Sequence, residues 1–509
     1  MSGRQPDLIA YALALLSALL LVLIHPGANL TFLAPFALAP LLIACARERR
    51  SAKRFVLGWC AGIAYWWGVC YWIQFVLEVH GGMGFVGSWG AFVLFCLAKA
   101  LHFGVFAMLA GWFIHRWFAI PAAAALWAGL ERTNGPLGFA WLTLGNAGAD
   151  MAIPARLAPW IGVYGLSFVF ALTAAALTAV VLRRNRRELL WLAPLLLLFL
   201  LPPLPPPTVG SETAVMIQPN LNEEEEWTVP KTQAMQDRLV TQSLQAALKP
   251  GEQPARLIVW PELPGPLYYY NDPRFHQAAT DLARTANAYF LFGTVAYTVQ
   301  NLPLNSAVML GPNGAAIDRY DKMFLVPFGE FIPPLFDWVN RITKEAGDFV
   351  AGSRLVTFPM GTQSLGTFIC YESAFPHLVR QFPRAGATVL ANISNDGYFG
   401  HSAARYQHLK LVRMRAIENR RWILRATNDG ITATIDPAGR VTQTIAPFRE
   451  EVVRTQYGYV AGTTFYTRHG DWFVWSCLIA GLAAAAATSP RPSKRRIESR
   501  STELPLSPR

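Results

Sequence analysis

Six cysteines are spread along the 509 residues of the chain, and one of them is placed to do chemistry. Cys45, Cys60, Cys70, Cys96 and Cys477 fall inside apolar runs, where cysteine behaves as a small apolar residue. Cys370 instead follows the β-rich run Leu365-Gly366-Thr367-Phe368-Ile369 and precedes Tyr371-Glu372-Ser373-Ala374-Phe375-Pro376, which leads into a helix. Such a strand-to-helix turn resembles a nucleophile elbow, which exposes a side chain beside backbone N–H groups able to favour a thiolate and receive an oxyanion. A buried structural thiol is the alternative reading, and no cysteine outside the apolar runs offers Cys370 a disulfide partner.

A thiol nucleophile needs a base and a group that stabilises the tetrahedral intermediate. Glu262 closes the apolar strand Leu257-Ile258-Val259-Trp260-Pro261, and a carboxylate so placed can accept a thiol proton. Lys322 lies in Tyr320-Asp321-Lys322-Met323-Phe324-Leu325-Val326-Pro327-Phe328-Gly329-Glu330, an aromatic-rich stretch with few charges, where an ammonium can face an oxyanion. Taken singly both are weak signals, because most Glu and Lys are merely solvated. His276, His377, His401, His408 and His469 form no close ligand pattern with each other or with cysteine, so they read as ordinary surface or core residues. No metal and no cofactor is expected. The four glutamates at 223–226 read as a solvated face, whereas Lys99 and His102 lie within an apolar run, where ionisable residues are functional candidates unless, like a long lysine near one end, they snorkel.

The elements that must position these residues fall into two kinds. A hydrophobic content of 53% and a mean hydropathy of +0.27 exceed what a soluble core needs, and the excess is concentrated in apolar runs. Eight spans are expected, at 8–24, 31–46, 55–76, 85–114, 118–130, 157–182, 189–201 and 472–487. The first is expected to be retained as a span instead of being cleaved as a signal peptide. The net charge of +12 would suit a nucleic-acid surface if it were spread over the globular part, but basic clusters follow the second, fourth, sixth and eighth runs. That alternation is a topology signal: both termini cytoplasmic, and the long segment between the seventh and eighth runs outside.

That segment opens after Pro202-Pro203-Leu204-Pro205-Pro206-Pro207, a stiff connector that cannot continue a helix. Domain boundaries are therefore expected at 1–207 for the helical bundle, 208–471 for an α/β domain, 472–488 for a last helix and 489–509 for a basic tail. In the α/β domain, strands are predicted at 214–218, 257–259, 289–292, 307–310, 365–369, 388–391, 423–426 and 432–435, and helices at 232–248, 275–286 and 406–419. Gly311-Pro312-Asn313-Gly314 and Asp436-Pro437-Ala438-Gly439 are turns between antiparallel strands.

The order WPE at 260–262, DK at 321–322 followed by PFGEF at 327–331, then CYE at 370–372 resembles the nitrilase superfamily. Seven spans, one such domain and a final span resemble, more narrowly, the bacterial apolipoprotein N-acyltransferase family; the likeness extends to APWIGVYG at 158–165 and SNDGYFG at 394–400. The resemblance implies an αββα sandwich beside the helices, with Glu262 as general base, Lys322 as oxyanion stabiliser and Cys370 as nucleophile. It implies supporting or substrate-binding positions at Trp227, Glu330, Tyr371 and Glu372. It further implies an inner-membrane enzyme that carries an acyl chain from a phospholipid, through a thioester, to the α-amine of diacylglyceryl-cysteine on apolipoproteins, with no nucleic-acid partner. One departure is a compact segment after Glu262, with Tyr268-Tyr269-Tyr270 in place of a longer arm. Two other readings fit less: a membrane-tethered amidase using the same three residues, and a transporter or receptor, against which the runs show no paired intramembrane charges or related halves.

Overall fold

The computed structural model describes residues 7–136, 138–222, 225–262, 265–331 and 349–490. Its N-terminal part is helical: Leu8–Leu23, Ala39–Arg47, Ser51–Cys70, Trp72–Phe75, Gly84–Lys99, Leu101–Phe113, Ala119–Arg132 and Ala158–Val181. Among the described residues, Gly84–Phe113 and Pro154–Val181 are long and apolar enough to cross a membrane, and a third span results if Ser51–Cys70 and Trp72–His80, bent by 60°, count as one. Leu8–Leu23 and Trp472–Ala487 are apolar but shorter.

Several expected spans are therefore reshaped, for identifiable reasons. The run at 31–46 breaks into a 3₁₀ turn, Thr31–Leu33, and the helix Ala39–Arg47, with Pro35 between them and Pro40 in the helix's first turn. The run at 189–201 is a 3₁₀ segment, Arg186–Phe199, with Pro194 inside it. The expected span at 118–130 continues to Arg132, whose Nε lies 2.5 Å from Asp471 Oδ2, a carboxylate that also accepts from the Tyr466 hydroxyl at 2.8 Å. The last helix, Trp472–Ala487, lies against this one so closely that a Cβ on Gly481 would come 2.7 Å from the Leu126 Cα. Lys99 does not snorkel: it is buried, with Nζ donating to Asn134 Oδ1 at 2.8 Å and lying over the Trp66 ring.

Twelve strands among the described residues form two six-stranded sheets. The first holds β1 (Glu212–Gln218), β2 (Leu257–Val259), β3 (Tyr289–Tyr297), β4 (Pro303–Leu310), β5 (Ala316–Asp321) and, at its other edge, β12 (Glu451–Tyr457), in the order β12-β1-β2-β3-β4-β5. The second holds β6 (Thr357–Met360), β7 (Gln363–Ile369), β8 (Val389–Ser394), β9 (Ile423–Thr427), β10 (Ala433–Ile435) and β11 (Val441–Thr444), in the order β11-β10-β9-β8-β7-β6. In each sheet three adjacent strands, β1-β2-β3 and β7-β8-β9, are parallel and the other pairings are antiparallel.

Period-two alternation explains the layering. Ala214 and Met216 of β1, with Leu257 and Val259 of β2, join the core shared with Leu365, Leu390 and Leu424 of the second sheet. Val215, Ile217 and Ile258 point the other way, onto Leu239 and Leu282 of the helices Val229–Ala247 and Pro273–Ala286. The helix Ala404–Asn419 covers the second sheet and also meets the N-terminal helices, since Glu418 Oε1 accepts the Val163 N–H at 2.8 Å. The result is an αββα sandwich whose second outer layer is docked on the helical part.

Candidate active site

Strands β2 and β7 are inner parallel strands of their sheets, and ligands of open α/β sheets gather beyond the carboxyl ends of such strands. Glu262 lies just past β2, and Cys370 is the residue immediately after β7. Lys322 follows the edge strand β5, with its own N–H donating to the Asn305 carbonyl of β4 at 2.8 Å.

Lys322 and Glu262 meet directly, and Cys370 lies within electrostatic reach of both. Lys322 Nζ, almost fully buried, donates to Glu262 Oε1 at 3.0 Å and to Glu330 Oε1 at 2.9 Å. Asn305 Nδ2 lies 2.7 Å from the same two oxygens, and Glu262 Oε2 accepts the Asn395 N–H at 2.9 Å. Glu330 is anchored from behind by the Val326 N–H, 2.8 Å from Oε2. Burial works against the Lys322 ammonium, but Glu262 and Glu330 beside it hold its pKa well above the usual lysine range. For Cys370 the packed surroundings of the sulfur, and then the Glu262 carboxylate, push the thiol pKa up, against the pull of Lys322. The resting thiol is thus protonated, and attack requires a base to take its proton.

Cys370 adopts φ +49°, a left-handed conformation uncommon for a residue with a Cβ, and begins the 3₁₀ turn Cys370–Ala374. The elbow expected there is present, followed by a short helix, Pro376–Val379. Glu372 closes the turn: Oε2 accepts the Ile369 N–H at 2.7 Å, while Oε1 accepts the Tyr320 hydroxyl at 2.8 Å and the Met323 N–H at 2.7 Å. One buried carboxylate thereby ties the nucleophile's turn to the segment that carries Lys322. Burial pushes the Glu372 pKa up to about 7, opposed by the Ile369, Tyr320 and Met323 donors.

A carboxyl raised from 4.5 to about 7 on folding contributes stability that is fully present below pH 4.5 and is lost as pH rises through 7. Glu372→Gln removes that slope and turns an amide N–H toward donors, costing about 1–3 kcal/mol. Thermal denaturation across pH 4.5 to 7 checks this: the stability gap between wild type and variant should narrow as pH rises.

Tyr371 faces the helical part. Its hydroxyl accepts the Ala140 N–H at 2.9 Å, and its ring stacks on Phe139 at 5.4 Å and meets Phe375 edge-on at 5.0 Å. Trp227 stands half-buried in the first sheet's core beside Gly265, in the segment that leaves Glu262. Of the acidic run, Glu223 and Glu224 lie outside the described residues, and Glu225 pairs with Lys231 at 3.2 Å on the surface.

Reading the sequence assigned no role to Asn305 or His408, and none to Asn395 beyond its place in SNDGYFG. Asn305 carried a signal, a polar side chain within the mostly apolar strand β4, Pro303–Leu310, since a buried amide there needs partners. His408, read as ordinary, is fully buried with Nε2 3.0 Å from the Cys370 carbonyl oxygen. Among the described residues no group of three or more His, Cys, Asp or Glu could hold a metal ion.

Residues 216–457 match the carbon-nitrogen hydrolase family, and residues 17–176 match the apolipoprotein N-acyltransferase N-terminal domain. Apolipoprotein N-acyltransferase from Geobacter metallireducens is 34% identical over 96% of this chain and 98% of its own length. The enzyme of that name from Nitrosomonas europaea is 32% identical over 90% of this chain and 95% of its own. A crystal structure of an amidase from Nesterenkonia sp. aligns at 15% identity over 52% of this chain and 94% of its own, with a TM-score of 0.39, so the fold assignment rests on the two sheets and the family matches. On its likeness to those full-length relatives, the chain belongs to the apolipoprotein N-acyltransferase family, with a carbon-nitrogen hydrolase body set beside its apolar helices.

Proposed function

We propose that this protein is an apolipoprotein N-acyltransferase that works by a ping-pong mechanism on Glu262, Lys322 and Cys370. The observation that carries the reading is the buried Lys322 ammonium held by two carboxylates, with the Cys370 thiol, whose pKa burial and Glu262 raise and Lys322 lowers, at a strained elbow. Glu262 takes the Cys370 proton as sulfur attacks the ester carbonyl of a phospholipid acyl chain, forming the S–C bond. Lys322 and backbone N–H groups face the developing oxyanion. Collapse breaks the C–O ester bond, Glu262 returns the proton to the leaving oxygen, and a lysophospholipid departs from a thioester. The neutral α-amine of a diacylglyceryl-cysteine then attacks that thioester, Glu262 takes the amine proton, the C–S bond breaks, and the thiol is restored as an N-acyl amide leaves.

Both substrates are anchored in a bilayer, which gives a physical reason for the apolar helices. In this reading the N-terminal helices and Trp472–Ala487 hold the two-sheet body on the outer face of the inner membrane, with the basic clusters and both termini in the cytoplasm, as the charge alternation supports. Tyr371, Phe139 and Phe375 offer an apolar wall between those helices and the thiol. Trp227 and Glu330 are assigned supporting roles, Glu330 by holding Lys322.

Incubating the enzyme with a phospholipid labelled in one acyl chain and a diacylglyceryl-cysteinyl peptide tests the assignment. Equal amounts of labelled N-acyl peptide and lysophospholipid are expected. Turnover of a small soluble amide with no acyl transfer from lipid would overturn it in favour of an amidase.

A further inference from the structure

The backbone at Cys370 is held in a conformation that a Cβ-bearing residue rarely adopts, and two side chains close the turn around it. Glu372 takes the Ile369 N–H on one side. On the other, the Cys370 carbonyl leaves the β7 ladder and points at His408 Nε2, 3.0 Å away. A carbonyl oxygen carries no proton, so this bond exists only if Nε2 donates. We infer that His408 is a positioning residue for the nucleophile: its Nε2–H holds the Cys370 carbonyl, and with it the left-handed turn that aims the thiol. The inference rests on the reading of Cys370 as nucleophile.

The ring is itself gripped. His408 Nδ1 lies 2.9 Å from Asp396 Oδ1, which also accepts the Ser394 hydroxyl at 2.9 Å. The other oxygen of Asp396 accepts from Arg425 Nη2 at 2.6 Å. His408, Asp396 and Arg425 are all fully buried, and Arg425 also bonds the Asn392 side chain. Despite its burial, Asp396 is held well below the usual carboxylate range, first by Arg425 and then by His408, so it stays charged and keeps the ring oriented. Trp141 and Phe399 wall the imidazole, each with ring centroids 5.8 Å away.

A second connection makes this more than a satisfied core histidine. Asn395, the neighbour of Asp396, gives its N–H to Glu262 Oε2 at 2.9 Å. One loop, Ser394-Asn395-Asp396, therefore locates the base through a backbone bond and the nucleophile through His408. Displacement of a reacting atom by about 1 Å can slow a reaction about 100-fold without weakening binding.

The test uses the full-length enzyme with His408→Leu, which removes the donor, His408→Gln, which retains an N–H, and Cys370→Ala as control. Alkylation of Cys370 by iodoacetamide, single-turnover thioester formation from a defined phospholipid, KM for that lipid and the thermal midpoint are measured. Expected for His408→Leu are losses of about 100-fold in alkylation and acylation with KM within about threefold, and for His408→Gln recovery to within about tenfold of wild type. Wild-type rates in His408→Leu, or equal losses in both folded variants, would overturn the inference. Should neither variant fold, a ¹⁵N spectrum of histidine-labelled wild type decides: a buried ring protonated at Nε2 is expected, and its absence overturns the inference. If wild type alkylates but takes no acyl group from lipid, the acyl-transfer reading fails while the His408 contrast in alkylation stands.

Discussion

Cys370→Ala is expected to cut N-acyl transfer by at least about 10⁴-fold in a protein that folds normally. The thiol is the atom to which the acyl group would be bonded, and neither Lys322 nor the backbone N–H groups can substitute for that bond. The fold should tolerate the change because Cys370 has no disulfide partner and the turn is held by its backbone and by Glu372. Comparing turnover of a labelled phospholipid and the thermal midpoint of wild type and variant checks both halves. A variant that loses activity only because it unfolds would leave the nucleophile unassigned.

Lys322→Met is expected to cost both stability and rate. The ammonium is the cation that Glu262 and Glu330 share, and without it two carboxylates converge on one Asn305 amide with no charge to balance them. Breaking a buried pair by removing one partner costs about 3–5 kcal/mol. Loss of an oxyanion donor slows the chemical step by a further factor of about 10²–10³. Denaturation and single-turnover acylation measure the two effects separately. Adding Glu262→Gln to Lys322→Met should recover much of the stability, because it removes one of the uncompensated charges, and none of the activity, because it removes the proposed base. Recovery of activity in the double variant would contradict the roles assigned to both residues.

Glu262 and Cys370 stand out in the sequence because each follows a short β-rich run, β2 with all three residues apolar and buried, β7 with its last five residues buried. Edge strands were harder. β5, Ala-Ile-Asp-Arg-Tyr-Asp, has one strand neighbour and mostly partly exposed side chains, and β11, Val-Thr-Gln-Thr, is exposed throughout, so neither shows a strong hydrophobic signal. In the helical part, apolar content identified the runs but not their breaks, where proline sets the local geometry.

His408 was hidden for a different reason. Its helix, Ala404–Asn419, is buried on nearly all sides because it lies between the second sheet and the N-terminal helices, and many of its buried side chains are polar. Gln407 accepts from Trp141 Nε1 at 2.7 Å and Lys410 pairs with Asp150 at 2.9 Å, partners contributed by a distant part of the chain. Those partners make the polar residues affordable in the interior, and no periodicity within the helix reveals them.

Intact-protein mass measurement after incubation with a defined phospholipid, with and without hydroxylamine, tests the central claim most directly. The account predicts a mass gain of one acyl chain on wild type, absent from Cys370→Ala, removed by hydroxylamine and discharged by a diacylglyceryl-cysteinyl peptide. A folded wild-type enzyme that transfers acyl chains to the peptide without ever carrying this adduct, or that carries it equally in Cys370→Ala, would contradict the account.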